Sequence, residues 1–169
     1  MVSNKRKNGL IILALAFALG TSTLLAEQVE VTADNFFADE VKQVSVLTGN
    51  VHVKKGAYDT LDSNKLTIYF DKNRQPTKYV ASDNARFKIL INNSHYNGKG
   101  DTLTYEPLAQ TYLLSGNAYI NEVETKREVF GDKITINQLS GKYEVQSFKD
   151  EKNKEKKPAK LIFQIEDKK

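Results

Sequence analysis

The stretch Tyr112-Leu113-Leu114-Ser115-Gly116-Asn117-Ala118-Tyr119-Ile120 decides how the whole chain is read. Leu114 precedes a polar Ser-Gly-Asn step, and Ala118 and Ile120 follow it two apart, the spacing of a half-buried strand rather than a helix. The same form returns as Thr48-Gly49-Asn50-Val51-His52-Val53 and as Ser82-Asp83-Asn84-Ala85-Arg86-Phe87, with the asparagines 34 and 33 residues apart. Each copy is followed by a second apolar alternation that starts near a polar pair: Asn64-Lys65-Leu66, Asp101-Thr102-Leu103 and Asp132-Lys133-Ile134. The opening Ala33-Asp34-Asn35-Phe36 reads as the second half of a preceding unit. A recurring unit of this size implies strand pairs stacked around one continuous apolar interior.

Outward from these copies the alternation continues. Leu66, Ile68 and Phe70 alternate with polar neighbours, as do Ala85, Phe87 and Ile89, then Leu103 and Tyr105, then Ile134 and Ile136. Gly, Asn and Asp between the runs read as turn residues, which predicts an all-β chain of many short strands. Gly98-Lys99-Gly100-Asp101 likewise reads as a hairpin turn, since it lacks the Gly-Lys-Ser/Thr ending of a phosphate loop. Two open possibilities follow for the inward row. It is either a filled core or, if the two faces splay, an apolar groove suited to acyl chains.

Composition narrows the chemistry. With no Cys and two His in 169 residues, zinc–thiolate sites, disulfides and a catalytic thiol are excluded, and so is a three-histidine metal site. His52 occupies an outward strand position, and His95 reads as part of the turn Asn92-Asn93-Ser94-His95, which also matches a glycosylation sequon. Neither stands in a nucleophile frame. The acid pairs Asp59/Asp62 and Glu122/Glu124 read as strand-edge and turn charges, so no catalytic residue, metal ligand or cofactor is expected. The net charge of +4 comes from the ends: from residue 27 to 148 there are 14 basic and 16 acidic side chains. A nucleic-acid partner is therefore not expected.

The first 26 residues carry Lys5-Arg6-Lys7, an uncharged apolar run from Leu10 to Leu19, and Leu24-Leu25-Ala26. This is the layout of a secretory signal peptide cut after Ala26; the run is too short to span a bilayer comfortably. The residues at 27–148 form the β domain, 149–160 (KDEKNKEKKPAK) a charged linker, and 161–169 a terminal strand and tail, with Leu161, Phe163 and Ile165 alternating.

The segment Tyr112 to Ile120, followed by Gly131-Asp132-Lys133-Ile134-Thr135, resembles the OstA-like family of lipopolysaccharide-transport proteins. Leu47-Thr48-Gly49-Asn50-Val51-His52-Val53 and Val29-Glu30-Val31-Thr32-Ala33-Asp34 repeat the resemblance, which covers about Val29 to Phe148. The family implies a twisted, partly open β-jellyroll of stacked antiparallel strand pairs, working in the periplasm as a carrier without enzymatic activity. The cargo implied is lipopolysaccharide, bound through its lipid A. The partners implied are an inner-membrane LptC-like jellyroll, an outer-membrane LptD-like jellyroll, and further copies of the chain joined end to end. Carried over by position, the lipid wall comprises Val29, Val31, Phe36, Leu47, Val51, Phe87, Tyr105, Leu114, Ile120 and Ile134. The docking edges would be Val29, Glu30 and Val31 at one end. At the other they would be either Tyr143, Glu144 and Val145 or Leu161, Phe163 and Ile165. A membrane-anchored partner of the same fold and a structural β-repeat protein with a filled core are the alternatives.

Overall fold

A computed structural model describes residues 29–91, 93–147 and 158–165. The expected signal peptide at 1–26 and most of the charged linker lie outside the described residues. Among the described residues ten strands follow one another: β1 (Val29–Thr32), β2 (Asn35–Asp39), β3 (Val44–Lys55), β4 (Asp59–Phe70), β5 (Pro76–Ile91), β6 (Ser94–Glu106), β7 (Thr111–Glu122), β8 (Arg127–Asn137), β9 (Lys142–Gln146) and β10 (Lys160–Ile162). They form a single antiparallel sheet in the order β1-β3-β4-β5-β6-β7-β8-β10. Both outer edges are split. β1 runs along His52–Lys55 of β3 and β2 along Val44–Thr48. At the far end β9 runs along Lys133–Asn137 of β8 and β10 along Glu128–Phe130.

The strands are longer than expected, because most of the residues read as turns sit inside them. Gly49-Asn50, Asp83-Asn84 and Gly116-Asn117 all have positive φ and lie within β3, β5 and β7. At each, the pairing register slips: between Thr48 and Val51, between Ser82 and Ala85, and between Ser115 and Ala118. Two residues there oppose one on the neighbouring strand, which is a β-bulge. Alternation that halts at a Gly-Asn step looks the same in sequence whether the chain reverses or bulges, since both need left-handed backbone. Gly98-Lys99-Gly100-Asp101 is likewise no hairpin turn. It lies mid-strand in β6, opposite the bulges of β5 and β7. His95 is the second residue of β6 rather than a turn residue. One reversal does fall within the Asn92-Asn93-Ser94-His95 stretch, between the paired Ile91 and Ser94, and the others lie away from the Gly-Asn and Asp-Asn steps. In the one after β4, the Asp71 carboxylate accepts the N–H groups of Asn73 and Gln75 at 2.8 and 2.9 Å.

Two of the three bulges are clamped by acids. The Asn50 amide donates to Asp34 at 3.0 Å, and the Asn117 amide donates to Asp101 at 3.2 Å. A Cβ on Gly49 or Gly116 would lie about 2 Å from the same carboxylates, at 2.2 and 2.1 Å, so side-chain space and φ both demand glycine. Asp34 thus does between β1 and β2 what Asp101 does within β6, in keeping with the half-unit expected at Ala33-Asp34-Asn35-Phe36.

Because the bulges align from strand to strand, the sheet bends along one line. On β5, Tyr79 precedes the bulge and Ile89 follows it, yet both line one cavity. A straight strand rises roughly 3.3 Å per residue and would hold them roughly 33 Å apart. The sheet therefore doubles over into two facing layers, a partly open jellyroll. Inward parity survives the bend on the bulged strands β3, β5 and β7 and shifts by one on β4, β6 and β8. Leu47, Leu66, Ile68, Leu103 and Leu114 in one layer and Val51, Val53, Ala85 and Ala118 in the other form a single core. Leu66, Ile68 and Leu114 are fully sealed from solvent. Each such side chain contributes roughly 1.5–3 kcal/mol by leaving water.

Candidate functional site

Between the layers the packing is incomplete. Near β3 and β4 a small cavity of about 70 Å³ lies among Val53, Leu61, Phe87, Ile89, Tyr79 and Tyr105. A second of about 490 Å³ shares Phe87, Ile89 and Tyr112 with the first and extends to Tyr96, Ile120 and Tyr143. A third of about 740 Å³ shares Tyr96, Ile120 and Tyr143 with the second and ends among Val129, Ile134, Val145, Leu161 and Phe163. The cavities thus share walls from the β3 side of the molecule to the edge formed by β9 and β10. Ligand pockets occupy roughly 300–1,000 Å³, so the second and third are of ligand size.

Lys55, Asp59, Glu122, Arg127 and Lys160 contribute charge to the walls, and the inner surface carries a row of phenols. Tyr79, Tyr105 and Tyr112 are direct cross-strand neighbours on β5, β6 and β7. Their rings stack at centroid separations of 6.1 and 4.3 Å. Burial pushes all three phenols above their ordinary value, and burial beside Tyr143 pushes Tyr96 up to about 12. They remain neutral O–H groups at any physiological pH. The trough therefore offers apolar rings and neutral hydrogen-bonding groups. Space for one ring is made by a missing side chain: Phe87 lies across from Gly98, where a Cβ would be 2.2 Å from the ring.

The residues expected to form a lipid wall fall into three groups. Phe87, Tyr105, Ile120 and Ile134 line the cavities. Leu47, Val51 and Leu114 are buried in the packed core nearer the bend and line none of these three cavities. Val29, Val31 and Phe36 stand at the β1/β2 edge: the valines are half-buried against the core, and Phe36, opposite Leu47, is 59% exposed. The sequence-based set omits Tyr79, Tyr96 and Tyr112. Tyr112 and Tyr79 share the inward parity of Leu114 and Ala81, a signal that was available but is not distinctive for tyrosine.

Of the edge candidates, Val29, Glu30 and Val31 lie on β1, which among the described residues pairs only with β3. The two alternatives offered for the far edge are both present, as its two halves. Tyr143, Glu144 and Val145 are on β9, Leu161 is on β10, and Phe163 and Ile165 continue beyond it. Tyr143, Leu161, Phe163 and Ile165 are exposed.

The polar residues that chemistry would use are engaged with one another or with the backbone, although Asp59 lines the first cavity and Glu122 the third. His52 pairs with Asp62 at 2.7 Å, and His95 pairs with Glu124 while its ring meets Tyr58 edge-on. The Glu124 carboxyl is held below its ordinary range by hydrogen bonds from the His95 ring and backbone. Asp59 accepts the Leu90 N–H at 2.9 Å, and Glu122 accepts the Thr125 hydroxyl at 2.7 Å.

No curated protein sequence matches the chain. Among solved structures, the chain is similar to the crystal structure of LptH, the LptA-homologous periplasmic component of the conserved lipopolysaccharide transport device of Pseudomonas aeruginosa. That match has 19% identity and a TM-score of 0.67, and it covers 82% of this chain and 96% of the other. Residues 30–142 match the model of the family described as LptA/(LptD N-terminal domain) LPS transport protein. Two-thirds of the sequence thus carries the pattern of bulged strands around a shared interior, and the chain belongs to the LptA/LptD N-terminal domain family of lipopolysaccharide-transport proteins.

Proposed function

We propose that this protein is a periplasmic carrier that holds lipopolysaccharide by its acyl chains within the trough between the two layers and catalyses no reaction. It would pass its cargo from an inner-membrane LptC-like jellyroll to an outer-membrane LptD-like jellyroll, directly or through further copies joined end to end. The observation that carries the proposal is the row of wall-sharing apolar cavities reaching the β9/β10 edge. An acyl chain entering such a space gains about 0.8 kcal/mol per buried methylene. The open main-chain edges of β1/β2 and β9/β10 support strand addition between jellyrolls, in which backbone hydrogen bonds supply affinity. The periplasmic assignment rests on the family, on the similarity to the periplasmic component from Pseudomonas aeruginosa and on the leader-like residues 1–26.

The test is photo-crosslinking in cells, with a photoreactive residue at Phe87 and another at Arg86 as the outward control, the adduct being probed for lipopolysaccharide. An adduct at 87 and none at 86 is the expected result. No adduct at either position in a folded, exported protein would overturn the proposal in favour of a structural β-protein.

A further inference from the structure

Among the described residues, β10 is the one strand that lies wholly beyond the residues 30–142 matched to the family. Its ladder on β8 is three pairs long: Lys160 with Phe130, Leu161 with Val129, and Ile162 with Glu128. β9 holds five positions on the same strand. Leu161 and Phe163 remain 56% and 57% exposed although they stand over an apolar wall of Ile120, Val129, Ile134 and Val145. Between them and that wall lies the cavity of about 740 Å³. Few main-chain bonds and little buried apolar surface thus hold β10 in place. It covers a β8 edge and an apolar wall that a better-fitting strand would seal.

We propose that residues 158–165 are a placeholder: in the free protein they occupy the edge of the N-terminal half of β8, and β1 of a second copy displaces them when two copies join. The proposal rests on the end-to-end pairing inferred above. The fit comes from β1 itself. Val29-Glu30-Val31-Thr32 supplies four residues where β10 pairs three, and its two valines face the interior of their own layer. β1 has a second edge that pairs with no described strand. Joining there would make β3, β1 and the next copy's β8 consecutive in one sheet and bring the two troughs into line. A placeholder lowers apparent affinity by the fraction of time that it occupies the edge, so association would respond to how firmly β10 is held.

The chain has no cysteine, so the pair Val129→Cys with Leu161→Cys, oxidised at high dilution, yields a single possible intrachain disulfide between direct cross-strand neighbours. Self-association of the exported chain would be followed by sedimentation velocity over a concentration series, oxidised and reduced. Two further variants are a deletion of 158–165 and Leu161→Pro, which removes a strand N–H. With the disulfide closed, association is expected to weaken by about tenfold relative to the reduced form. The deletion and Leu161→Pro should associate at least as tightly as the native chain. Equal association of the oxidised and reduced forms would overturn the placeholder, as would loss of association on deletion, which would make β10 part of the docking edge. If the native, reduced and deleted forms all stay monomeric, end-to-end pairing between copies fails and the placeholder with it. A native chain that assembles with an ineffective lock sinks the placeholder alone.

Discussion

Leu114 and Phe87 share inward parity but not the same task. Leu114 is sealed in the packed region near the bend, and Leu114→Ala should cost about 2–5 kcal/mol, read as a lower urea midpoint. Val41, 95% exposed, is the control: Val41→Ala should change stability by no more than about 0.5 kcal/mol. Gly116 is a different kind of sensitive site. With φ at +72° and the Asp101 carboxylate where a Cβ would be, Gly116→Val should cost about 1–3 kcal/mol or more. Adding Asp101→Ala should recover part of that loss by opening the space, which a double-mutant cycle in urea would measure. Glu124 provides a pH effect. Its carboxyl pKa is lowered from 4.5 in the folded protein, so its contribution is present above that value and is lost as pH falls through the depressed one. Glu124→Gln should flatten the acid limb of a thermal-midpoint profile slightly, because the group is at the surface.

At the scale of elements, the informative unit is the bulged strand. Its apolar alternation was legible, as was the recurrence of Gly-Asn and Asp-Asn steps with an acid or Asn on the next strand. Whether such a step reverses the chain or bends it was not, because both use the same left-handed residues; the long-range partner decides. Only when Asn117 is seen to reach Asp101, and Asn50 to reach Asp34, do these steps become hinges across a continuing ladder. The tyrosine ladder across β5, β6 and β7 belongs to this scale too. The phenols of Tyr79, Tyr96, Tyr105 and Tyr112 are raised in the folded state, so the stability tied to keeping them neutral is complete below pH 10 and falls as pH rises beyond it. An alkaline titration should show their phenolate absorbance only together with loss of the sheet's circular dichroism. Tyr112→Phe should move that unfolding to higher pH.

At the scale of the molecule, the two split edges are alike in construction but unequal in strength. β1 and β2 follow directly on one another along β3, whereas β9 and β10 are separated by residues 147–159. The trough approaches the weaker edge, which is where cargo and partner would meet. If the trough carries acyl chains, Ile120→Glu should abolish lipopolysaccharide adducts at Phe87. The same charge at outward-facing Tyr119, which packs on Phe130 at 4.8 Å, should leave the adducts in place. Both variants would be checked for folding by circular dichroism.

What the sequence determined by itself was the class of local structure and the inventory of chemistry. Alternation with period two from Val51 to Ile136 requires strands with one apolar face, and two histidines without cysteine leave few reactive groups. It also carried the family, because the Gly-Asn steps and their acids recur in order. Tertiary structure alone decided which inward residues pack solid and which line open space. Leu114 and Ile120 are indistinguishable by parity, yet one is sealed near the bend and the other faces a cavity. The reason is that burial depends on the separation of two layers contributed by residues far apart along each strand. That separation is set by the angle at the aligned bulges, and no local pattern encodes it.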